Sequence, residues 1–377
     1  NEKPAVHIIR PRGLHLDEKN LEINGERASG TFFDLALSLF HNAKKLLENG
    51  SGPYFYLPKL EHYLECRLLN DVISFCEKKL GLEIGTVKVT VLIETINAVF
   101  QMDEFLWELK DHIVGLNAGR WDYLFSYQKV YRNTQKVILP DRSKVNMFVP
   151  FMSNYNKLLV DTCHKRGAFG MGGMSAQVIA KANPKEVNEK ALAGVKKDKE
   201  RELNQGNDGA WVAHPSLVEP VKNIFEKNFD GPNQLKKFNN DKINRRDLLD
   251  EPKIENAITE NGVRENLQEG IEYMAYWLIG TGASVVNYLM ADVATCEVSR
   301  AQLWVWLKYK VKLDDGRTVN EDLINKLIAE ELNKTKKKVG DEIFKKVPFE
   351  NAAKIFREMV TKKDFDEFLT LPLYEKI

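Results

Sequence analysis

Two carboxylates follow apolar runs that have the composition of buried strands. Residues 89–93 are apolar or β-branched and lead directly into Glu94, and such an unbroken run is typical of a strand buried on both faces. A second run, residues 113–117, is followed by a glycine turn and Asp122. Because the carboxyl ends of parallel strands meet at one end of an α/β barrel, the pattern predicts that both acids face one divalent cation. The alternative for either acid alone is the capping of the next helix.

An arginine stands at the end of the first apolar run, residues 5–10. Pro11 follows Arg10 and cannot extend a strand ladder, so the strand is expected to stop there. A guanidinium stays charged at every working pH and can stabilise negative charge on a substrate oxygen. Arg10 is therefore a candidate catalytic cation. Arg12 is the competing candidate, with a surface salt bridge as its alternative role.

The turn that precedes Asp122 contains Gly119 and Trp121. Glycine lets a ligand approach the backbone closely and permits a positive φ. Such a turn would leave the backbone N–H groups of Gly119, Trp121 and Asp122 free to face an anion. The turn is thus a candidate binding site for a small carboxylate. Its alternative is an ordinary Asn-x-Gly turn with Trp121 in the core.

Six short apolar runs alternate with longer helical patterns in the first part of the chain. They cover residues 5–10, 54–58, 87–94, 113–117, 167–171 and 210–214. Alternation of strand and helix in this way predicts a parallel sheet. Apolar residues at helical spacing predict a helix across residues 32–40, whereas the polar residues 196–208 and 228–251 are expected to be loops.

Beyond residue 214 the apolar pattern is helical only. Residues 263–278 carry a stripe of 3.6-residue period that Gly280 ends. Thr318 with Glu321 makes a capping-box pattern ahead of another helix. The sequence therefore predicts a barrel domain over residues 1–250 and a helical domain over residues 251–377.

Length and composition agree with this organisation and exclude several classes of protein. The chain has 377 residues, of which 43 % are hydrophobic, enough for a large core. Its 55 basic and 54 acidic residues leave a net charge of +1, which gives no long-range attraction for nucleic acid or anionic lipid. The four cysteines are widely spaced, as in an intracellular protein with reduced thiols, and no apolar run approaches the roughly 20 residues that span a bilayer. We therefore expect no nucleic-acid partner and no membrane partner; the sequence leaves the oligomeric state open.

Several motifs, in order along the chain, resemble the malate synthase family in its shorter isoform. They include Arg10-Pro11-Arg12-Gly13-Leu14-His15-Leu16, Ile93-Glu94-Thr95, Gly119-Arg120-Trp121-Asp122-Tyr123, Ala213-His214-Pro215 and Ala291-Asp292-Val293-Ala294-Thr295-Cys296-Glu297. The resemblance covers essentially the whole chain and implies a TIM-type (β/α)8 barrel with a helical C-terminal domain. Six of the eight strands would be present here, and the other two are expected in a family segment upstream. Residues 371–377 lack the peroxisomal tripeptide of many relatives, which favours a cytoplasmic location.

The reaction that the resemblance implies is the condensation of acetyl-CoA with glyoxylate and water, which gives malate and CoA. Mg²⁺ would be the cofactor, held by Glu94 and Asp122. The resemblance places the catalytic cation at Arg10 rather than Arg12. The turn around Gly119, which includes Trp121 and Asp122, would bind glyoxylate together with Arg10.

Asp292 would be the general base that removes a proton from acetyl-CoA, so the helical domain must fold over the barrel mouth. The chain departs from the family beside this residue, since relatives commonly have an acid where Ala291 stands, and Val293 and Cys296 replace smaller residues. The alternative for Asp292 is the N-cap of the next helix. Two other functions stay open: an acyl-CoA lyase similar to the citrate-lyase β-subunit, and a catalytically silent paralogue or fragment that acts through protein contacts.

Overall fold

The computed structural model describes residues 5–249 and 257–377. Its strands, in chain order, are β1 Asp17–Ile23, β2 Glu26–Ser29, β3 Tyr54–Leu57, β4 Lys88–Ile93, β5 Ile113–Ala118, β6 Phe169–Ser175, β7 Gly209–Val212, β8 Ser284–Val286 and β9 Leu289–Ala291. Its α-helices are α1 Gly30–Glu48, α2 Tyr63–Leu80, α3 Met102–Glu108, α4 Arg120–Tyr131, α5 Pro150–Lys165, α6 Lys185–Asn204, α7 Val218–Glu226, α8 Glu260–Trp277, α9 Val293–Lys308, α10 Glu321–Lys346, α11 Phe349–Thr361 and α12 Thr370–Tyr374. Within these two ranges, no helix combines the length and the apolar character needed to cross a membrane.

Strands β3 to β7 form one curled parallel sheet in which each strand pairs with the next in chain order. All five carboxyl ends therefore point to the same end of the sheet, as in a TIM-type barrel. Helices lie between successive strands, with α2 between β3 and β4 and α5 between β5 and β6. The predicted α/β barrel class is confirmed.

The first predicted strand, residues 5–10, is wrong in extent, because only Ile9 pairs with the sheet. Ile9 forms a parallel bridge to Phe55 of β3. Its N–H donates to the Tyr54 carbonyl and its carbonyl accepts from the Tyr56 N–H, both at 2.9 Å. The next N–H on this side would belong to Pro11, which has none, so the pairing ends after one residue.

The predicted loop at residues 196–208 is also wrong, since most of it belongs to α6. Its Lys, Glu and Arg residues are good helix formers, and Lys196 pairs with Glu200 one turn later at 3.7 Å. Much of this polarity is internal, because Lys199 and Glu202 form a buried ion pair at 2.9 Å.

The second predicted loop is residues 228–251, of which the structure describes residues 228–249. In that part, the only helix or strand is a 3-10 turn at Arg246–Leu248. Residues 250 and 251 lie outside the described residues, and so does the predicted domain boundary between them.

The predicted helices at residues 32–40 and 263–278 are confirmed as α1 and α8. The helix predicted after Thr318 is α10, but the capping box is wrong. Asn320 is the N-cap, and its side chain accepts from the Leu323 N–H at 2.8 Å. Thr318 instead forms an antiparallel bridge with Lys312.

The helical part of the chain shares one continuous hydrophobic core with the barrel. Helix α9 packs between α4 of the barrel and α8. Two buried side chains of α9 reach barrel carbonyls: Trp306 Nε1 donates to Leu139 at 3.0 Å, and Gln302 Nε2 donates to Pro140 at 2.6 Å. These contacts attach the second half of α9 to the barrel segment at Leu139 and Pro140.

A short hairpin, β8 with β9, was not predicted and ties the helical part to the barrel mouth. Asn287 and Tyr288 form its turn with φ values of 49° and 64°, the positive values of a tight hairpin turn. The Met290 N–H donates to Ala176 at 2.7 Å, and the Val178 N–H donates to Tyr288 at 2.9 Å. The hairpin thus docks on the segment that leaves β6 and delivers the residue after β9 to the carboxyl ends of the strands.

Candidate active site

A cavity of about 100 Å³ lies at the carboxyl ends of β4 and β5. All six residues singled out in the sequence line it: Arg10, Glu94, Gly119, Trp121, Asp122 and Asp292. They come from four separate segments of the chain, and the last belongs to the helical part. The structure therefore brings the predicted set into one place.

Glu94 follows β4 directly and is 3 % exposed. Its Oε1 accepts from the backbone N–H of Lys59 at 2.6 Å. Burial raises the pKa of Glu94 to about 8, with Lys59 opposing this shift and Asp122 adding to it. A pKa raised in this direction favours the neutral form of the carboxyl.

Asp122 lies in the first turn of α4 beside Glu94. Its Oδ2 is 2.8 Å from Lys59 Nζ. Burial disfavours its charge, but Lys59 and a hydrogen bond with Glu94 outweigh that cost and hold the pKa of Asp122 below its usual value. The pKa values of these two neighbouring carboxyls are thus shifted in opposite directions.

The oxygen donors at this place fit a small hard cation. Asp122 Oδ1 is buried and has no hydrogen-bond partner among the described residues, an arrangement that is costly unless a ligand completes it. No group of three or more His, Cys, Asp or Glu side chains gathers anywhere in residues 5–249 and 257–377. A pair of carboxylates with room for water is the donor set that Mg²⁺ usually accepts in proteins.

Gly119 is needed for a different reason from the one predicted. Its φ is −86°, so the expectation of a positive φ is wrong. Its N–H donates to the Ile93 carbonyl at 3.4 Å and is not free for an anion. A Cβ on Gly119 would come within 2.6 Å of Glu94 Cβ and 3.1 Å of Glu94 Oε2. The glycine therefore makes room for Glu94.

The backbone N–H groups of Trp121 and Asp122 fit the prediction better. Both lie in the first turn of α4, where a helix leaves its N–H groups without intrahelical acceptors. The indole Nε1 of Trp121 is also buried and finds no acceptor among the described residues. Trp121 is thus a cavity wall with an unused donor as well as a partly buried core residue.

Gly119→Ala is expected to lower the free energy of unfolding by about 1–3 kcal/mol, the usual cost of overpacking, and to displace Glu94. Thermal or urea unfolding measures the first effect. Gly194→Ala is the matched control: Gly194 lies inside α6 with no atom within 4 Å of an added Cβ, so alanine there should stabilise by up to about 1 kcal/mol. Equal effects of the two changes would contradict the close contact with Glu94.

The two candidate arginines have different surroundings. The Arg10 guanidinium lies over the ring of Tyr56 at 5.1 Å and lines the cavity. Arg12 points away, with one nitrogen 2.8 Å from Glu18 and another 2.7 Å from Asp34, and these carboxylates raise the pKa of Arg12. Arg12 is therefore a structural ion-pair residue, whereas Arg10 remains available to a ligand.

Asp292 follows β9 and is the N-cap of α9. Its Oδ1 accepts from the Thr295 N–H at 3.2 Å, and the Thr295 hydroxyl accepts from the Asp292 N–H. Burial first, and then Asp122, raise the pKa of Asp292 above its usual value. Asp292 therefore does cap α9, which was the alternative role predicted for it. The capping hydrogen bond also orients its carboxyl at the cavity wall. Ala291, where relatives carry an acid, is completely buried in β9.

Two further residues of the cavity, Tyr56 and Trp211, were not predicted from the sequence, and neither was Lys59, which lies beside it against Glu94 and Asp122. Lys59 contacts both barrel acids, and Tyr56 presents a buried hydroxyl without a partner among the described residues. Trp211 packs against Tyr56 with the two rings tilted by 49° and their centroids 4.6 Å apart. The sequence contains one indication of Lys59. Lys59 comes directly after an apolar run and Pro58, and Arg10 likewise stands next to a proline, Pro11, at the end of an apolar run.

Fold and site define the class: a TIM-barrel enzyme that gathers oxygen donors at the barrel mouth and receives one acid from a helical domain. Two family models match the chain, the malate synthase TIM barrel domain over residues 6–251 and the malate synthase C-terminal domain over residues 257–377. The chain belongs to the malate synthase family, and its enzyme class is acyltransferase. Both matching models describe malate synthase, so the family assignment does not support the alternative of an acyl-CoA lyase similar to the citrate-lyase β-subunit.

Individual relatives agree with this assignment. The chain is 44 % identical over 378 residues to malate synthase of Myxococcus xanthus, an alignment that covers 100 % of this chain and 69 % of that protein. It is 44 % identical over 386 residues to glyoxysomal malate synthase of Brassica napus, with coverages of 100 % and 68 %. The chain thus spans a little over two thirds of the length of these relatives. Because one of them is glyoxysomal, the cytoplasmic location stays a prediction.

A solved structure supports the fold. The Haloferax volcanii malate synthase, in a complex with pyruvate and acetyl-CoA, superposes with a TM-score of 0.51 at 13 % identity. The match covers 84 % of this chain and 74 % of that chain. At this identity the similarity concerns the architecture of barrel and helical domain alone.

Proposed function

We propose that this chain condenses acetyl-CoA with glyoxylate, using Glu94 and Asp122 as Mg²⁺ ligands, Arg10 as the catalytic cation and Asp292 as the base. The observation that carries the proposal is the convergence of the barrel acids and Asp292 on one cavity, although about 170 residues of chain separate Asp122 from Asp292. The lining of this cavity is complete only when residues of both the barrel and the helical part contribute to it.

The glyoxylate would be held by the bound metal and by backbone groups of this chain. When bound, Mg²⁺ would polarise the carbonyl of the 2-oxo acid as a Lewis acid. The N–H groups of Trp121 and Asp122, at the positive end of the α4 dipole, would bind the glyoxylate carboxylate. The related Haloferax enzyme was solved with pyruvate, another 2-oxo acid, which supports this class of substrate.

Asp292 would take a proton from the methyl group of the acetyl thioester, and the electron pair of the C–H bond would move to the thioester oxygen as an enolate. Arg10 would stabilise that oxygen. The enolate carbon would then form a bond to the aldehyde carbon of glyoxylate, while the π pair of that C=O bond moves to its oxygen, which takes up a proton. Water would then cleave the thioester to give malate and CoA. Burial of Asp292, together with the nearby Asp122 charge, makes its carboxylate a stronger base than a solvated aspartate, since its pKa is raised.

The test is CoA release, followed with a thiol reagent, in mixtures of acetyl-CoA, glyoxylate and Mg²⁺. We expect release only when all three are present. Release from acetyl-CoA without glyoxylate would indicate a thioesterase. Binding of Mg²⁺ and glyoxylate without release would instead support the silent-paralogue alternative for this chain.

A further inference from the structure

Lys59 lies between the two proposed metal ligands and has no part in the proposed reaction. Its Nζ is 2.8 Å from Asp122 Oδ2 and 3.8 Å from Glu94 Oε1. Its backbone N–H donates to the same Glu94 oxygen at 2.6 Å. The Lys59 side chain is only 14 % exposed and that of Asp122 13 %. A cation of the chain itself therefore already contacts the acids.

The backbone at Lys59 supports a specific role for this side chain. Lys59 has a φ of 58°, in the left-handed region that residues other than glycine and asparagine rarely adopt. Glycine would adopt this conformation at lower cost. Lysine, unlike glycine, places an ammonium group beside Asp122. Strain of this kind is typical of positions whose side chain serves a site.

We propose that the Lys59 ammonium is an internal competitor of Mg²⁺ for the Glu94–Asp122 pair: it compensates the pair in the metal-free protein and leaves Asp122 Oδ2 when the metal binds. The inference rests on the proposed function, because it takes Glu94 and Asp122 as the metal ligands. Buried carboxyls need a compensating cation, so Lys59 allows the barrel mouth to fold before metal arrives. Two cations at the same oxygens repel each other, so Lys59 also weakens metal binding.

Replacement of Lys59 by methionine should therefore have two effects of opposite sign. The metal-free protein should unfold at a lower temperature, because Asp122 loses its cation. Mg²⁺ should bind at least tenfold more tightly, because its competitor is gone. A merely structural ion pair would give the first effect without the second.

The experiment is calorimetric titration with Mg²⁺, together with thermal unfolding with and without Mg²⁺, on the whole chain and on Lys59→Met. Lys129→Met is the matched control. Lys129 is also buried, 6 % exposed, and its Nζ is 3.2 Å from Glu61 and 3.2 Å from Glu367, which are outside the proposed metal pair. The control should lose thermal stability while its Kd for Mg²⁺ stays unchanged.

Unchanged or weaker Mg²⁺ binding by folded Lys59→Met would overturn the inference. If the unchanged chain binds no Mg²⁺, or binds it equally well after Glu94→Gln, the proposed metal site itself fails, and that result differs from failure of the Lys59 role. Should Lys59→Met not fold, Lys59→Gln takes its place, since glutamine keeps a hydrogen-bond donor for Asp122 without a charge. The same tightening, by at least tenfold, is expected for Lys59→Gln.

Discussion

Asp292→Asn is expected to lower the rate of CoA release by about 10²–10⁴-fold, the range that a positioned general base contributes. The amide has nearly the same shape as the carboxyl but cannot accept the methyl proton of acetyl-CoA. Steady-state kinetics with thiol detection measures the loss, which should fall on kcat. In the proposed site Mg²⁺ and glyoxylate would be held by barrel residues, so their binding should be retained.

Helix capping does not account for such a loss, because asparagine is as good an N-cap as aspartate. Thr295→Val is the matched control: it removes the hydroxyl that accepts from the Asp292 N–H at 3.2 Å and keeps the base. This control should cost about 1 kcal/mol of stability and little activity. If Asp292→Asn stayed within tenfold of the unchanged chain, another group would have to be the base.

The parallel sheet was predictable because its strands are buried on both faces and read as apolar runs. Strands β3, β4 and β5 lie within three residues of their predicted bounds. Helix α6 was missed because its buried charges compensate each other: Lys199 donates to the Gly173 carbonyl at 2.6 Å and pairs with Glu202. The composition of such a segment shows that its side chains are polar, but it does not show whether these side chains are exposed to solvent or buried.

The lining of the cavity was predictable where a charged residue ends or follows an apolar run, as at Arg10 and Glu94. The hairpin that brings Asp292 to the barrel was not, since β8 and β9 have three residues each and the segment on which they dock, Ala176 to Val178, is more than 100 residues away in the chain. Lys59 was missed for a related reason. Lys59 is of interest because it contacts two acids that lie 35 and 63 residues further along the chain. The residues next to Lys59 in the sequence do not indicate these contacts.

Glu94→Gln is expected to abolish the rise in Tm that Mg²⁺ gives to the unchanged chain. A ligand at 100 times its Kd stabilises a protein by about 2.7 kcal/mol, and this increment should disappear because a neutral amide replaces one of two carboxylate ligands. The metal-free Tm should change little. Glutamine keeps the size of the carboxyl and an oxygen that can accept from the Lys59 N–H, a bond of 2.6 Å in this structure, and burial raises the pKa of Glu94 towards the neutral form that the amide resembles.

Glu77→Gln is the matched control for a buried glutamate. Glu77 lies away from the cavity, fully buried, where it accepts from the Val87 N–H at 2.8 Å and lies 3.0 Å from His112 Nε2. Its amide variant should lose about 1–3 kcal/mol of stability, since a buried partner is left unsatisfied, but keep the full Mg²⁺-dependent rise in Tm. The two variants thus separate metal binding from folding: if Glu94→Gln kept the rise, Asp122 would have to bind Mg²⁺ with other ligands.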